Sequence, residues 1–135
     1  ERIIPLHYDE LALDQDKVPL IPRWDQYDIL EQMGAVFFMT IRQAGELIGY
    51  YVGFIQPHMH YATCLTCITD LFYVRPDTRK AGAGSVLFNA VEVELKRRGV
   101  SRWVVGYKDH LPAGKFLEQH GLMPIERVHS KWIGG

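Results

Sequence analysis

Residues 1–135 read as one α/β domain, a mixed sheet with helices packed against its faces, on three observations. Two runs rich in Val, Phe, Tyr and Ile flank the turn Gln43-Ala44-Gly45-Glu46, which predicts an antiparallel hairpin. An apolar strand ending at Val74 leads through a glycine-containing loop into an amphipathic helix. One more strand, a helix and two short strand-like runs then complete the order.

Taken in turn, residues 1–6 predict a short first strand and the acidic stretch 8–16 one or two helical turns. Pro19 and Pro22 bracket an apolar pair and disfavour helix, so 18–22 is a loop. Tyr27, Leu30 and Met33 recur at helical spacing, which predicts a helix over 25–33 stopped by Gly34. The hairpin strands fall at 35–42 and 47–55, and a loop at Pro57-His58-Met59-His60 precedes a third strand over 62–74. A helix over 85–98 gathers Val86, Leu87, Ala90, Val91 and Leu95 on one face and leaves Glu92 and Glu94 to solvent. A strand over 102–107 follows, then a helix over 112–120 ended by Gly121. Closing strands are expected over 123–128 and 130–133.

Composition narrows the function. Apolar content of 47% and charged content of 23% suit a soluble globular protein. A net charge of −1 without a dominant basic stripe argues against a nucleic-acid partner. Lys96-Arg97-Arg98 falls in a helix's last turn, where cations complement the dipole. No apolar run reaches the roughly 20 residues of a membrane span. No signal-peptide pattern is visible, although the chain begins at Glu1. Two cysteines without extracellular markers predict a reducing, cytoplasmic setting. Cys64-x-x-Cys67 is half a redox or zinc pattern without a partner pair, so buried thiols and no metal are expected.

The loop carries the chemistry. A strand, then Arg79-x-x-Gly82-x-Gly84, then a helix N-terminus together form an anion site, because the first helical N–H groups are unpaired and the dipole favours negative charge. Gly82 and Gly84 let a phosphate approach the backbone. The spacing is not that of a P-loop, since no Gly-Lys-Ser/Thr occurs, nor of a dinucleotide loop, since Leu87 stands where a third glycine belongs. With Leu71-x-x-Val74-x-Pro76, Lys96-Arg97-Arg98-Gly99, Trp103-Val104-Val105 and Phe116-x-x-x-x-Gly121-Leu122, the loop resembles the GNAT family of N-acetyltransferases over about 35–133.

That resemblance implies a mostly antiparallel sheet whose middle strands, here 66–74 and 102–107, splay apart around the pantetheine arm of acetyl-CoA. It implies backbone contacts to the arm near Phe72, Tyr73 and Val74. It also implies pyrophosphate contacts from the N–H groups of Lys80, Ala81, Gly82, Ala83, Gly84 and Ser85, with charge from Arg79 or Lys80. The alternative for Arg79 is an exposed loop cation. His110 matches a position often held by a cofactor-binding Asn. Trp24 and Tyr27 fall on the acceptor side.

Acetyl transfer to an amine needs a base for the ammonium and an acid for the leaving thiolate. Asp70, the only carboxylate in 66–74, is the candidate base; otherwise it is a sheet-edge Asp or one bonded near a bulge. Leu117 stands where most members of the resembled family carry the Tyr acid. Tyr107 is the first substitute, with His110 or water as the others, and the bland alternative is a partly buried strand-end Tyr. His58 and His60 either orient the acceptor or are exposed loop histidines. The resemblance thus implies an acetyl-CoA-dependent N-acetyltransferase, without metal, moving the acetyl group to a primary amine of a small molecule, peptide or protein by direct attack. The alternative is a non-catalytic acyl-CoA-binding or interaction protein that keeps the fold, which Leu117 favours. A homodimer through 130–133 stays open.

Overall fold

The computed structural model describes residues 23–134 apart from 59, 109 and 111. The strand expected over 1–6, the turns over 8–16 and the loop over 18–22 lie outside the described residues. Within them the order is α1 (Trp24–Gln32), β1 (Val36–Gln43), β2 (Glu46–His58), β3 (Tyr61–Val74), α2 (Pro76–Arg79), α3 (Ala83–Arg97), β4 (Arg102–Val104) and α4 (Gly114–Gln119).

The hairpin forms because Ala44 and Gly45 both take positive φ, 51° and 79°, the geometry a two-residue turn needs to follow strand twist. Gln43 and Glu46 close the β1/β2 ladder. The sheet order is β1-β2-β3-β4, antiparallel except for a parallel β3/β4 pair. It is therefore a mixed sheet, as the sequence predicts.

Each face has its own core. Phe37, Ile48, Tyr51, Ile55, Cys67 and Val74 pack on Ala83, Leu87, Val91 and Leu95 of α3. Those four helix positions recur every four residues on one stripe. Burying each Leu or Val stabilises the pairing by about 1.5–3 kcal/mol. The opposite face carries Val36, Tyr50, Val52 and Tyr73, covered by Tyr27 and Leu30 of α1.

A bulge in β3 changes which residues face which core. Val52 pairs with Leu71 and Gly53 with Thr69, so Asp70 is the extra residue. Thr69 and Phe72 serve the α3 face, and the consecutive Asp70 and Leu71 both fall on the α1 face. Beside the bulge, the Tyr51 hydroxyl lies 2.8 Å from Thr69 Oγ1 and 3.4 Å from Cys67 Sγ. Trp103 Nε1 donates to the Tyr51 oxygen at 3.0 Å and to Thr69 Oγ1 at 3.1 Å. This partly buried cluster joins β2, β3 and β4 where the β3/β4 pairing ends.

Strand β4 pairs only over Thr66–Ile68, so among the described residues strand β3 has from Thr69 to Val74 a paired neighbour on the β2 side alone. The strand expected over 102–107 stops at Val104 for that reason. The closing strands expected over 123–128 and 130–133 do not form: 122–134 has no regular secondary structure. Their apolar side chains have no face to bury, since Met123, Val128 and Ile133 are 75%, 86% and 89% exposed. Alternation alone does not hold a strand without a covered side. The four-residue α2, absent from the sequence reading, starts on Pro76 at its first position, where a missing N–H costs nothing.

The last turn of α3 is paired rather than merely solvated. Glu94 accepts from Arg97 and Arg98, and Glu92 from Lys96. The hydrogen bond from Arg97, then that from Arg98, hold the Glu94 carboxyl down to about 2.

Two outcomes follow from this packing. A Cβ at Gly53 would lie 2.7 Å from Cys67 Sγ and 2.8 Å from the Tyr51 ring. Gly53→Ala should therefore cost about 1–3 kcal/mol, read from the urea midpoint. A depressed carboxyl contributes stability that is complete above its ordinary value of 4.5 and lost as pH falls through about 2. Glu94→Gln should lower the unfolding midpoint at neutral pH and flatten the acid limb, the difference from wild type vanishing as pH falls through about 2.

Candidate functional site

The site begins where β3 ends. Val74 pairs with Gly49, the Arg75 N–H donates to Ile48 O at 2.8 Å, and the chain then turns through α2 into Lys80-Ala81-Gly82. The Arg75 guanidinium clamps this corner, reaching Glu46 and Asp77 at 2.7 Å each. Thr78, 7% exposed, donates its hydroxyl to Arg75 O at 2.8 Å. Gly82 takes φ 84°, a left-handed turn that costs glycine little, and stands as the N-cap of α3 without a side-chain cap. The first hydrogen bond back to it comes from Val86 N at 3.1 Å. The N–H groups of the first turn therefore have no intrahelical partner, and that turn carries no acidic residue. A fifteen-residue helix aims its positive end at this loop.

Packing behind the loop fixes its position. A Cβ on Gly84 would come within 3.3 Å of the Phe116 ring. Phe116 packs edge-on against Phe88 at 4.9 Å, and Phe88 against Phe72 of β3 at 5.1 Å. His120 extends the ring column, 4.8 Å from Phe116, and its Nε2 lies 3.1 Å from Ser85 Oγ. His120 carried no signal in the sequence, since its partner lies 35 residues away.

The sequence-predicted residues separate into groups. Lys80, Ala81, Gly82, Ala83, Gly84 and Ser85 wrap the α3 N-terminus, and Lys80 is exposed while Ala83 is buried. Phe72, Tyr73 and Val74 lie in the stretch of β3 that, among the described residues, lacks a strand on one side. Arg79 folds back: its Nε donates to Val74 O at 2.8 Å and its guanidinium lies 5.4 Å from the Tyr73 ring. Asp70 is exposed on the α1 face, where Tyr27 donates to its Oδ2 at 2.7 Å. Burial, then that hydrogen bond and the Asp70 charge, push the Tyr27 phenol well above its ordinary range and keep it a donor. Tyr107 lies beyond β4, 46% exposed, its hydroxyl against Gly114 at the start of α4. His110 is in an exposed turn, as is His60. Leu117 is 6% exposed and belongs to the core.

Neither cysteine is set up as a nucleophile. Cys67 is fully buried, which pushes its thiol up, and Cys64 Sγ rests 3.7 Å from Thr66 Oγ1. Among the described residues no group of three or more His, Cys, Asp or Glu is placed to hold a metal ion, and no helix is long and apolar enough to cross a membrane. An open depression lined by Met33, Ile55, Leu65 and Arg98 lies toward the other end of β2 and β3 and contains no predicted site residue.

Comparison with known proteins points to a common frame. A family model described as the acetyltransferase (GNAT) family matches residues 5–122. A transcriptional regulator from Bacillus halodurans C-125 superposes with a TM-score of 0.79 at 14% identity, over 98% of this chain and 91% of that one. An aminoglycoside acetyltransferase from an uncultured soil metagenomic sample gives 0.76 at 13% identity, over 98% and 86%. Glucosamine-6-phosphate N-acetyltransferase from Arabidopsis thaliana gives 0.69 at 12% identity, over 82% and 76%. No curated protein sequence matches the chain.

Gly84→Val should push Phe116 and His120 away from the loop and cost about 1–3 kcal/mol, measured by thermal unfolding.

Proposed function

The chain belongs to the acetyltransferase (GNAT) family, and on that premise we propose that it is an acetyl-CoA-dependent N-acetyltransferase acting on a primary amine. The observation that carries this reading is the uncapped α3 N-terminus behind Gly82, beside a β3 edge along which no strand lies among the described residues. An anion and an extended arm are the two things such a corner can accept. On this reading the N–H groups of Lys80 and of Ala83 to Ser85 hold the pyrophosphate, those of Ala81 and Gly82 donating within the turn to Thr78 O and Arg79 O, and the edge over Phe72–Val74 holds the pantetheine arm. Lys80 adds charge there. Arg79 supports the turn through Val74 O and has its guanidinium close by. On the same reading His110 contributes to cofactor binding. Acetyl-CoA supplies an acyl group activated as a thioester.

The protein's part is to hold two substrates together and manage protons. Asp70 takes the proton from the acceptor ammonium, so that a neutral amine lone pair meets the thioester in a ternary complex. No covalent enzyme intermediate is involved, because both thiols are engaged or buried. Tyr107 is the proposed donor to the departing thiolate, with its hydroxyl at the edge of α4. The acceptor is a small-molecule or a peptide or protein amine; relatives of this fold include enzymes for aminoglycosides and glucosamine-6-phosphate.

A second reading, a non-catalytic acyl-CoA-binding or interaction protein, draws on Leu117, a buried side chain with no proton to give. A transcriptional regulator with this fold supports keeping it in view.

Calorimetry with acetyl-CoA, followed by thiol release with a panel of amines and lysine peptides, separates the two. The enzyme reading expects binding and acceptor-dependent release, both lost in Gly82→Glu. Binding without release from any acceptor would favour the second reading. Tyr107→Phe should lower kcat roughly tenfold while acetyl-CoA affinity stays level. Undiminished turnover would remove Tyr107 from the acid role.

A further inference from the structure

Asp70 is an exposed carboxylate on the α1 face of the sheet. Tyr27 of α1 bonds its Oδ2 at 2.7 Å. The Tyr27 ring is itself held, stacked 6.1 Å from Phe54 and edge-on 5.8 Å from Phe38. Trp24 lies 6.2 Å away on the other side. Ile68, the cross-strand partner of Phe54, is 41% exposed, with Phe38 at 38% and Trp24 at 46%. The bulge places this carboxylate just past the last β3/β4 pair, where the free edge of β3 begins.

We propose that Tyr27 and Asp70 form one acceptor subsite, with Tyr27 a positioning residue and the ligand an amine carried on an apolar or aromatic group. The proposal rests on the acetyltransferase reading above. Oδ2 is committed to Tyr27, and Oδ1 accepts no hydrogen bond from a described residue. An ammonium therefore meets Oδ1 on a carboxylate whose rotation Tyr27 has already stopped. One N–H bond breaks, the proton forms an O–H bond at Oδ1, and the electron pair stays on the nitrogen as the lone pair that attacks. After transfer Asp70 releases the proton to solvent. The exposed rings and Ile68 would gain by covering an apolar stem and by attracting the cation to their faces. A polyhydroxylated amine would instead strip hydroxyl groups of water against carbon.

The test is steady-state kinetics of the full chain with acetyl-CoA and either phenethylamine or glucosamine, using wild type, Tyr27→Phe, Asp70→Asn and the double variant. Tyr27→Phe keeps the ring and its stacking partners and removes only the donor. We expect phenethylamine to be preferred roughly tenfold in kcat/KM, a gap of the size apolar burial gives. Tyr27→Phe should lower kcat roughly tenfold, the worth of one hydrogen bond to a charged group, without moving the KM for acetyl-CoA. The double variant should be no slower than Asp70→Asn, because Tyr27 acts only through that carboxylate. If neither amine is acetylated, hydrolysis of acetyl-CoA, in which water is the acceptor and needs the same base, supplies the same cycle. Full kcat in Tyr27→Phe, or a further slowing on the Asp70→Asn background, overturns the positioning role. A preference for glucosamine overturns the ligand class. An Asp70→Asn variant as fast as wild type instead removes Asp70 from the base role, a separate failure of the underlying reading.

Discussion

The partly buried hydrogen-bond cluster of Tyr51, Thr69 and Trp103 is the interaction that organises the sheet. It ties three strands at one point: β4 pairs with β3 up to Ile68 and no further. Buried polar groups must be satisfied, so these three side chains hold each other in register. Beyond them the sheet opens. The free edge of β3 exists because the cluster ends the pairing there and the aromatic column behind it keeps β3 in place without a neighbour. Burial pushes the Tyr51 phenol far above its ordinary range, so it stays neutral throughout.

The bulge converts that opening into two differently equipped sides. A regular strand would alternate strictly, and one residue more reverses every later side chain. With Asp70 inserted, Leu71 and Tyr73 turn to the α1 core, and Phe72 and Val74 turn to the α3 core. The carboxylate is left on the surface beside Tyr27, while Phe72 reaches the column that supports the glycine loop. One extra residue thus positions both an acidic group and the support of an anion site.

The loop itself is a local cost met by packing elsewhere. A glycine N-cap forgoes only roughly a few tenths of a kcal/mol that a Ser or Asp would supply. Here Gly82 stands at that position, and the stripe from Ala83 to Leu95 against the sheet more than offsets the loss. Unpaired N–H groups at a well-anchored terminus are what an anionic ligand can use.

What the sequence by itself determined is everything that depends on near neighbours in the chain. The hairpin followed from a turn pair flanked by β-formers, α3 from a four-residue stripe, and the anion loop from two glycines between a strand and a helix. Those signals are local, and the structure kept them with ends moved by a few residues. The resemblance in the loop and its flanks likewise pointed to the family. Tertiary structure alone decided the rest. The sequence offers Arg79 as a cofactor contact or an exposed loop cation, and only the fold shows its Nε donating to Val74 O. Tyr27 and Asp70 lie 43 residues apart, and Ser85 and His120 lie 35 apart, so no periodicity could pair them. Strands are expected over 123–128 and 130–133, but such a segment becomes a strand only when something covers its apolar side chains. Whether that happens depends on which surfaces the folded chain brings together.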